Sequence, residues 1–212
     1  MAGPIDAVTA IHNAFRNDIV AIDAAALEAA RGNGDLSAVL ARYSFFNEIL
    51  VWHADGEEAA VFPAIEKVAP LVAEAYDADH RGLDRLFESL TSALSSSDAL
   101  VTARVTSAFK FHLDHHLAKE DTHIYRIMAE QIAMPDQGAI VGKMAAGVPQ
   151  DRFPELVDWM FPLMGNDDRE NMTRIWQMVM PAPAFEGAKG LIEKALGDDW
   201  AELTKRIPEL VG

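Results

Sequence analysis

The chain is expected to be all-α, an antiparallel up-down-up-down four-helix bundle followed by an extension of short helices. Three observations predict this. Helix formers dominate its 212 residues and β-branched runs are few. Apolar residues recur at steps of three and four over four long stretches. The connections between those stretches are short, which favours antiparallel neighbours.

The first helix is expected from about Pro4 to Ala30, with proline in the first turn, where its missing N–H costs nothing. Its seam reads Ile5, Val8, His12, Phe15, Ile19, Ile22. Arg31-Gly-Asn-Gly34 stops it. Asp35 caps the second helix, whose seam is Val39, Arg42, Phe46, Ile49, His53, Glu57, Ala60, with Pro63 breaking or kinking it. Gly56 weakens that helix, and close approach of another group is one reason for a glycine there. Pro70 opens the third helix, with the seam Tyr76, His80, Leu83, Phe87, Leu90, Leu94. Asp98 caps the fourth, with the seam Val105, Phe109, His112, His116, Glu120, His123, Ile127, ended near Ile132 by Pro135.

Residues 1–134 therefore read as the bundle and 135–212 as a helical extension. The extension holds seven of the 10 prolines and Trp159, Trp176 and Trp200. Short helices are expected over 136–146, 150–164, 167–180, 183–196 and 199–206, the last opened by an Asp199–Glu202 capping box. The extension is apolar enough to fold against the bundle, a second copy or a protein partner.

Composition narrows the function classes. A net charge of −15 argues against nucleic acid and anionic membranes, which need clustered Lys and Arg. With no cysteine, disulfides, thiolate nucleophiles, Fe–S clusters and Cys-based zinc sites are excluded. No signal core and no long apolar run are seen, so a cytoplasmic location is expected.

The chemistry lies in the seams. Phe111 to Asp121, FHLDHHLAKED, holds three histidines within five residues, with Glu120 four beyond His116. His53-Ala-Asp-Gly-Glu57 repeats the spacing. Residues four apart lie roughly 6 Å apart along one helical face, so each stretch can aim an imidazole and a carboxylate at one point. His12 and His80 lie early in odd helices, and His53 and His116 lie late in even ones. In an antiparallel bundle these are the same end. Buried ionisable groups need partners or a metal, and four His with two Glu exceed one tetrahedral zinc. They suit two ions of Fe, Mn or Zn, with His12, His53, Glu57, His80, His116 and Glu120 as ligands and the two glutamates able to bridge. Glu57 is preferred to Glu58, and Glu120 to Asp121, because they stay in the seam. His112 is placed in the core or in the outer ring of contacts, His115 outward, and His123 is left open.

This order, His12, His53-x-x-x-Glu57, His80, His116-x-x-x-Glu120, resembles the hemerythrin-like, or HHE cation-binding, family, including its longer actinobacterial type. Glu57-Glu58-x-x-Val61-Phe62-Pro63 is similar to that family's second helix. The resemblance covers residues 5–132 and implies a non-haem centre of two iron ions that takes O₂, H₂O₂ or NO, with oxygen or iron sensing among the family's roles. Peroxide decomposition is the preferred activity, and whether the chain is an enzyme stays open. The alternatives are an O₂- or iron-binding module without turnover, and a structural helical protein with zinc or no metal. The O₂ carriers of this family have a His-x-x-x-His pair on helix three, whereas this chain has His80 alone. Tyr76 or Asp84 falls in the missing partner's place. Tyr76 is a candidate to donate a hydrogen bond in the reaction or to stand in as a ligand, with core packing as the competing reading.

Overall fold

A computed structural model describes residues 3–211, and every regular element among them is helical. Helix α1 (Asp6–Ala30) ends as the glycine-rich stop predicts, with Gly32 left-handed at φ 82°. Asp35 accepts a hydrogen bond from the Ser37 amide at 2.8 Å and starts α2 (Leu36–Gly56). The chain then makes one π-turn (Glu57–Val61) and continues as α3 (Phe62–Val68). Pro63 therefore does not break the helix. The wider turn absorbs the missing N–H, and the carbonyl of Ala59, four residues earlier, accepts from Lys143 Nζ at 2.5 Å.

Helix α4 (Val72–Ser95) follows. Asp98 accepts from the Val101 amide at 3.0 Å and starts α5 (Ala99–Lys119). A second π-turn (Glu120–Ile124) joins α5 to α6 (Tyr125–Gln131). Helix α1 packs against α5 and α2, α5 against α4, and α2 against α4, so the four long segments close a ring. Phe15, Ile19, Ile22, Phe46, Ile49, Leu90, Phe109, Leu113 and Leu117 fill it.

The seams of α1 and α4 lie inside as expected, apart from Phe87, which is half-buried. Two registers differ elsewhere. Arg42 is exposed and Tyr43 takes the inside of α2. On α5 and its continuation, Leu113, Ile124 and Met128 are buried while His112 and His123 are exposed. The second π-turn inserts an extra residue, so the inward positions after Glu120 move on by one.

The C-terminal helices are α7 (Met134–Ala145), α8 (Phe153–Leu163), α9 (Asn166–Val179), α10 (Ala182–Leu196) and α11 (Trp200–Arg206). They match the expected five within a few residues. Helices α8 and α9 pack on the outer face of α1, where Ala7, Ala10 and Ala14 join a second apolar core with Val157, Met160, Phe161 and Ile175. The small side chains of α1 let these helices approach closely. Trp159 Nε1 donates to the buried Asp18 at 2.6 Å, and Arg152 makes a two-pronged pair with Glu48 at 2.7 and 2.8 Å. Gly56 is where α7 comes nearest to α2. A Cβ there would lie 3.3 Å from Met144 Cβ, so the close approach considered from sequence is that of α7. The Asp199–Glu202 capping box does not form. Asp199 instead accepts from Arg169 at 3.0 Å. No helix among the described residues is long and apolar enough to cross a membrane.

Candidate metal centre

Six side chains from four elements converge at one level of the ring. His12 comes from α1, His53 and Glu57 from the end of α2 and its π-turn, His80 from α4, and His116 and Glu120 from the end of α5 and its π-turn. All six are buried, and Glu57, Glu120 and His12 have no exposed surface. Two groups of possible ligand atoms form, each within 4.8 Å: His12, His53, Glu57, Glu120, and Glu57, His80, His116, Glu120.

The carboxylates belong to both groups, and each divides its oxygens between them. Glu57 Oε1 lies 3.4 Å from His53 Nε2, and its Oε2 lies 3.5 Å from His80 Nε2. Glu120 Oε1 lies 3.2 Å from His116 Nε2, and its Oε2 lies 3.7 Å from His12 Nε2. His12 Nε2 and His53 Nε2 are 2.9 Å apart. Two nitrogens about 2.1 Å from one ion and at right angles to each other would stand about 3 Å apart. Glu57 Oε2, His80 Nε2 and both oxygens of Glu120 are buried and make no hydrogen bond. Such atoms are costly unless something binds them. The donor set and its orphaned atoms therefore fit a pair of metal ions.

A ring of partners fixes the donors. His12 Nδ1 donates to Asp121 at 2.8 Å, and Arg16 Nη2 donates to the same carboxylate at 2.5 Å. His80 Nδ1 donates to Glu58 at 2.9 Å. The two acids passed over as ligands thus hold the histidines of the facing helices, an arrangement that sets ring orientation and tautomer. Tyr125, absent from the sequence reading, donates its buried hydroxyl to Glu57. Its signal was hidden because it lies five residues beyond Glu120, and only a π-turn puts those two on one face.

Tyr76 lies elsewhere. Its hydroxyl donates to the Lys119 carbonyl at 3.2 Å and sits 2.9 Å from His123 Nδ1, with no hydrogen bond to any of the six. Asp84 borders the cleft between α2 and α4 and is exposed. His112 is exposed and touches Phe111, which corrects its placement in the core or against the site, and His115 is exposed as expected.

Electrostatics follow the packing. Burial alone would lower the His80 imidazolium, but the close Glu120 and Glu57 carboxylates, with the hydrogen bond to Glu58, push it up to about 11. Burial likewise opposes the His53 imidazolium, and the Glu57 carboxylate outweighs it, so its pKa is raised. Burial would raise Glu57, yet the neighbouring imidazoles hold it well below the usual carboxylate range. Burial first and the Glu57 charge second push the Tyr125 phenol well above its ordinary value, so it stays a donor. Burial and the Glu120 charge push Tyr76 up to about 12.

Three openings reach these residues, one of them a hollow between α4 and α5 that borders His116. A cleft between α2 and α4 is bordered by Asp55, Glu57, Glu58, His80 and His116. An apolar pocket between α1, α2 and the C-terminal helices ends at His53.

Sequence relatives extend the picture. The chain is similar to the zinc finger protein BRUTUS of Arabidopsis thaliana, 27% identical over 177 residues that cover 80% of this chain and 14% of that protein. Two BRUTUS-like zinc finger proteins of the same plant are 24% and 22% identical over 89% and 84% of this chain, and 16% and 15% of their own lengths. The chain thus spans about one seventh of these relatives. With no cysteine it lacks the thiolates of a Cys-based zinc finger. No protein-family profile matches the chain. No solved structure matches it.

Proposed function

We propose that this chain is a hemerythrin-like, non-haem di-iron protein that binds and reacts with O₂, H₂O₂ or NO, with peroxide decomposition as the favoured reaction. In this reading residues 1–134 are an up-down-up-down four-helix bundle and 135–212 its helical extension. His12, His53, Glu57 and Glu120 hold one ion, and Glu57, His80, His116 and Glu120 hold the other. The supporting observation is that each buried glutamate turns one oxygen to each histidine pair. Two imidazoles with carboxylates per ion match the donor type of non-haem iron sites that keep open positions. Two iron ions would supply two redox equivalents and sites for a small ligand.

The chain's own residues do the rest. Asp121 and Glu58 keep His12 and His80 turned inward. Tyr125 holds Glu57 through its hydroxyl. Phe15 packs against His53, and Phe46, Ile49, Leu113 and Leu117 belong to the same apolar core. The polar cleft beside Glu58 and His80 gives a hydrophilic molecule such as peroxide access to Glu57 and His116.

A second reading is a metal- or O₂-binding module that reports without turnover. It is favoured by the match to a small part of much longer proteins. Metal analysis with visible spectra before and after H₂O₂, NO and azide tests both. About two irons per chain are expected, with spectral changes on adding each ligand. Peroxide consumption proportional to bound iron supports turnover, and full iron with no consumption supports the binding module. Fewer than about one ion per chain would sink the di-iron reading.

A further inference from the structure

The apolar pocket behind His53 has no part in the function proposed above. Its walls include Ile49 and Trp52 of α2, Met144 near the end of α7, Val148 in the loop after it, Trp176 of α9 and Met180 just beyond that helix. His53 is the only titratable side chain in the lining and closes the inner end. Its Nε2 on the far side lies 2.9 Å from His12 Nε2. The outer wall is built wholly by the C-terminal helices, so the pocket exists only because they fold onto α1 and α2.

The pocket is partly open to solvent and holds about 140 Å³. An apolar cavity of roughly 150 Å³ stays dry and takes up benzene or xenon, because water finds no hydrogen-bond partners in it. A wall rich in thioether and indole is also polarizable. The contrast with the cleft between α2 and α4 is chemical. That cleft also borders His53, and among its apolar side chains it carries Asp55, Glu57, Glu58, His80, Asp84 and His116, which offer water, peroxide and ions the partners that the apolar pocket lacks.

We propose that this pocket is a binding site for an apolar diatomic gas, which it concentrates from solvent and passes beside His53 to the set formed by His12 and His53. The gas partitions into the pocket because its apolar walls offer water few hydrogen-bond partners. The C-terminal helices thereby acquire a role at the metal centre while contributing no ligand. The delivery step rests on the di-iron reading, and the binding step does not.

Xenon NMR on the full chain as purified tests the binding step. A saturable xenon shift is expected, and Val148→Trp, which extends an indole into the cavity from a half-buried position, should abolish it. Stopped-flow mixing tests delivery. The ratio of the NO binding rate to the azide binding rate should fall at least about fivefold in Val148→Trp, because only the apolar ligand uses this pocket. Met180→Ala widens the outer wall and should raise xenon uptake and the same ratio, which keeps the test open should the tryptophan variant misfold. Absence of a saturable xenon shift in the parent chain, or an unchanged ratio in folded Val148→Trp, would overturn the proposal. Xenon bound to a chain carrying fewer than about one metal ion would overturn the delivery step through the di-iron reading and uphold the pocket as a gas site.

Discussion

The segment from His53 to Phe62 and the segment from His116 to Tyr125 are built alike, yet they grip the site differently. Each runs histidine, three residues, glutamate, a second acid, then a π-turn whose first residue is that glutamate. Each places its second acid on the histidine of a facing helix, Glu58 on His80 and Asp121 on His12. Each ends with an aromatic ring against that same histidine, Phe62 at 5.1 Å from His80 and Tyr125 at 5.4 Å from His12. The differences lie in the outer partners. The Asp121 side chain is 19% exposed and tied to Arg16, while Glu58 is 45% exposed and has no Arg or Lys on it among the described residues. Tyr125 carries a hydroxyl to Glu57, and Phe62 has none to offer. The half around His12 is therefore held on more sides than the half around His80, which borders the polar cleft. Equivalent ligands with unequal support would give one firmly held ion and one more exchangeable ion.

The most severe break removes what the halves share. Glu57→Ala or Glu120→Ala takes an oxygen from both groups and should leave less than about half an ion per chain, since a ligand set reduced on both sides cannot hold either ion. His80→Ala damages only the looser half and should keep about one ion, whereas His12→Ala strips the better-supported half. If His80→Ala empties the chain as fully as Glu57→Ala, the two halves do not bind independently.

Exchanging the second acids compares the halves directly. Asp121→Asn should cost toward 100-fold in metal affinity and Glu58→Gln about 10-fold, the usual range for a carboxylate behind a ligating histidine. Competition with a chelator of known affinity measures both. Equal losses would remove the asymmetry.

These two acids also show what the sequence could and could not carry. The six converging residues were legible because helical periodicity puts His-x-x-x-Glu on one face, and chain direction puts early and late histidines at one end. The five C-terminal helices were legible from their prolines and apolar runs. Hidden from that reading were the π-turns, because a one-residue insertion leaves no compositional mark. The misplacements beyond Glu120 follow from treating that stretch as an ordinary helix, while His112 was placed one residue off the buried Leu113. His123 was put in the seam where Ile124 belongs, and Tyr125 was not considered at all. Glu58 and Asp121 were weighed only as rival ligands, since periodicity says which face a residue is on and not what stands opposite.

Protons act on the two halves in parallel. Burial opposes both imidazoliums, yet the neighbouring carboxylates raise His53 in one group and hold His80 near 11 in the other. In the metal-free chain at neutral pH His80 therefore keeps a proton that an ion must expel, and His53 holds its proton to higher pH than a free imidazole. Raised imidazole pKa values mean that protons compete below those values and stop competing above them, so metal affinity should rise with pH across the neutral range. Calorimetry in buffers of different ionisation enthalpy should record at least about one proton released per pair of ions loaded. Release of none would show that the imidazoles are neutral before binding.

The smallest expected effect isolates the one hydroxyl that distinguishes the halves. Tyr125→Phe preserves the ring against His12 and deletes only the donor to Glu57. A buried acceptor left without its donor costs about 1–3 kcal/mol, so the metal-free protein should lose about that much stability in urea. The matching change in the other half, Phe62→Leu, removes an aromatic contact with His80 and leaves both Glu57 oxygens with the partners they had. Its cost should track lost packing, with little change in the order in which the ions leave on chelation. Tyr125→Phe should bring the loss of the firm ion closer to that of the loose one. A Tyr125→Phe chain that still releases its ions in two well-separated phases would place the asymmetry in Asp121 and Arg16 alone.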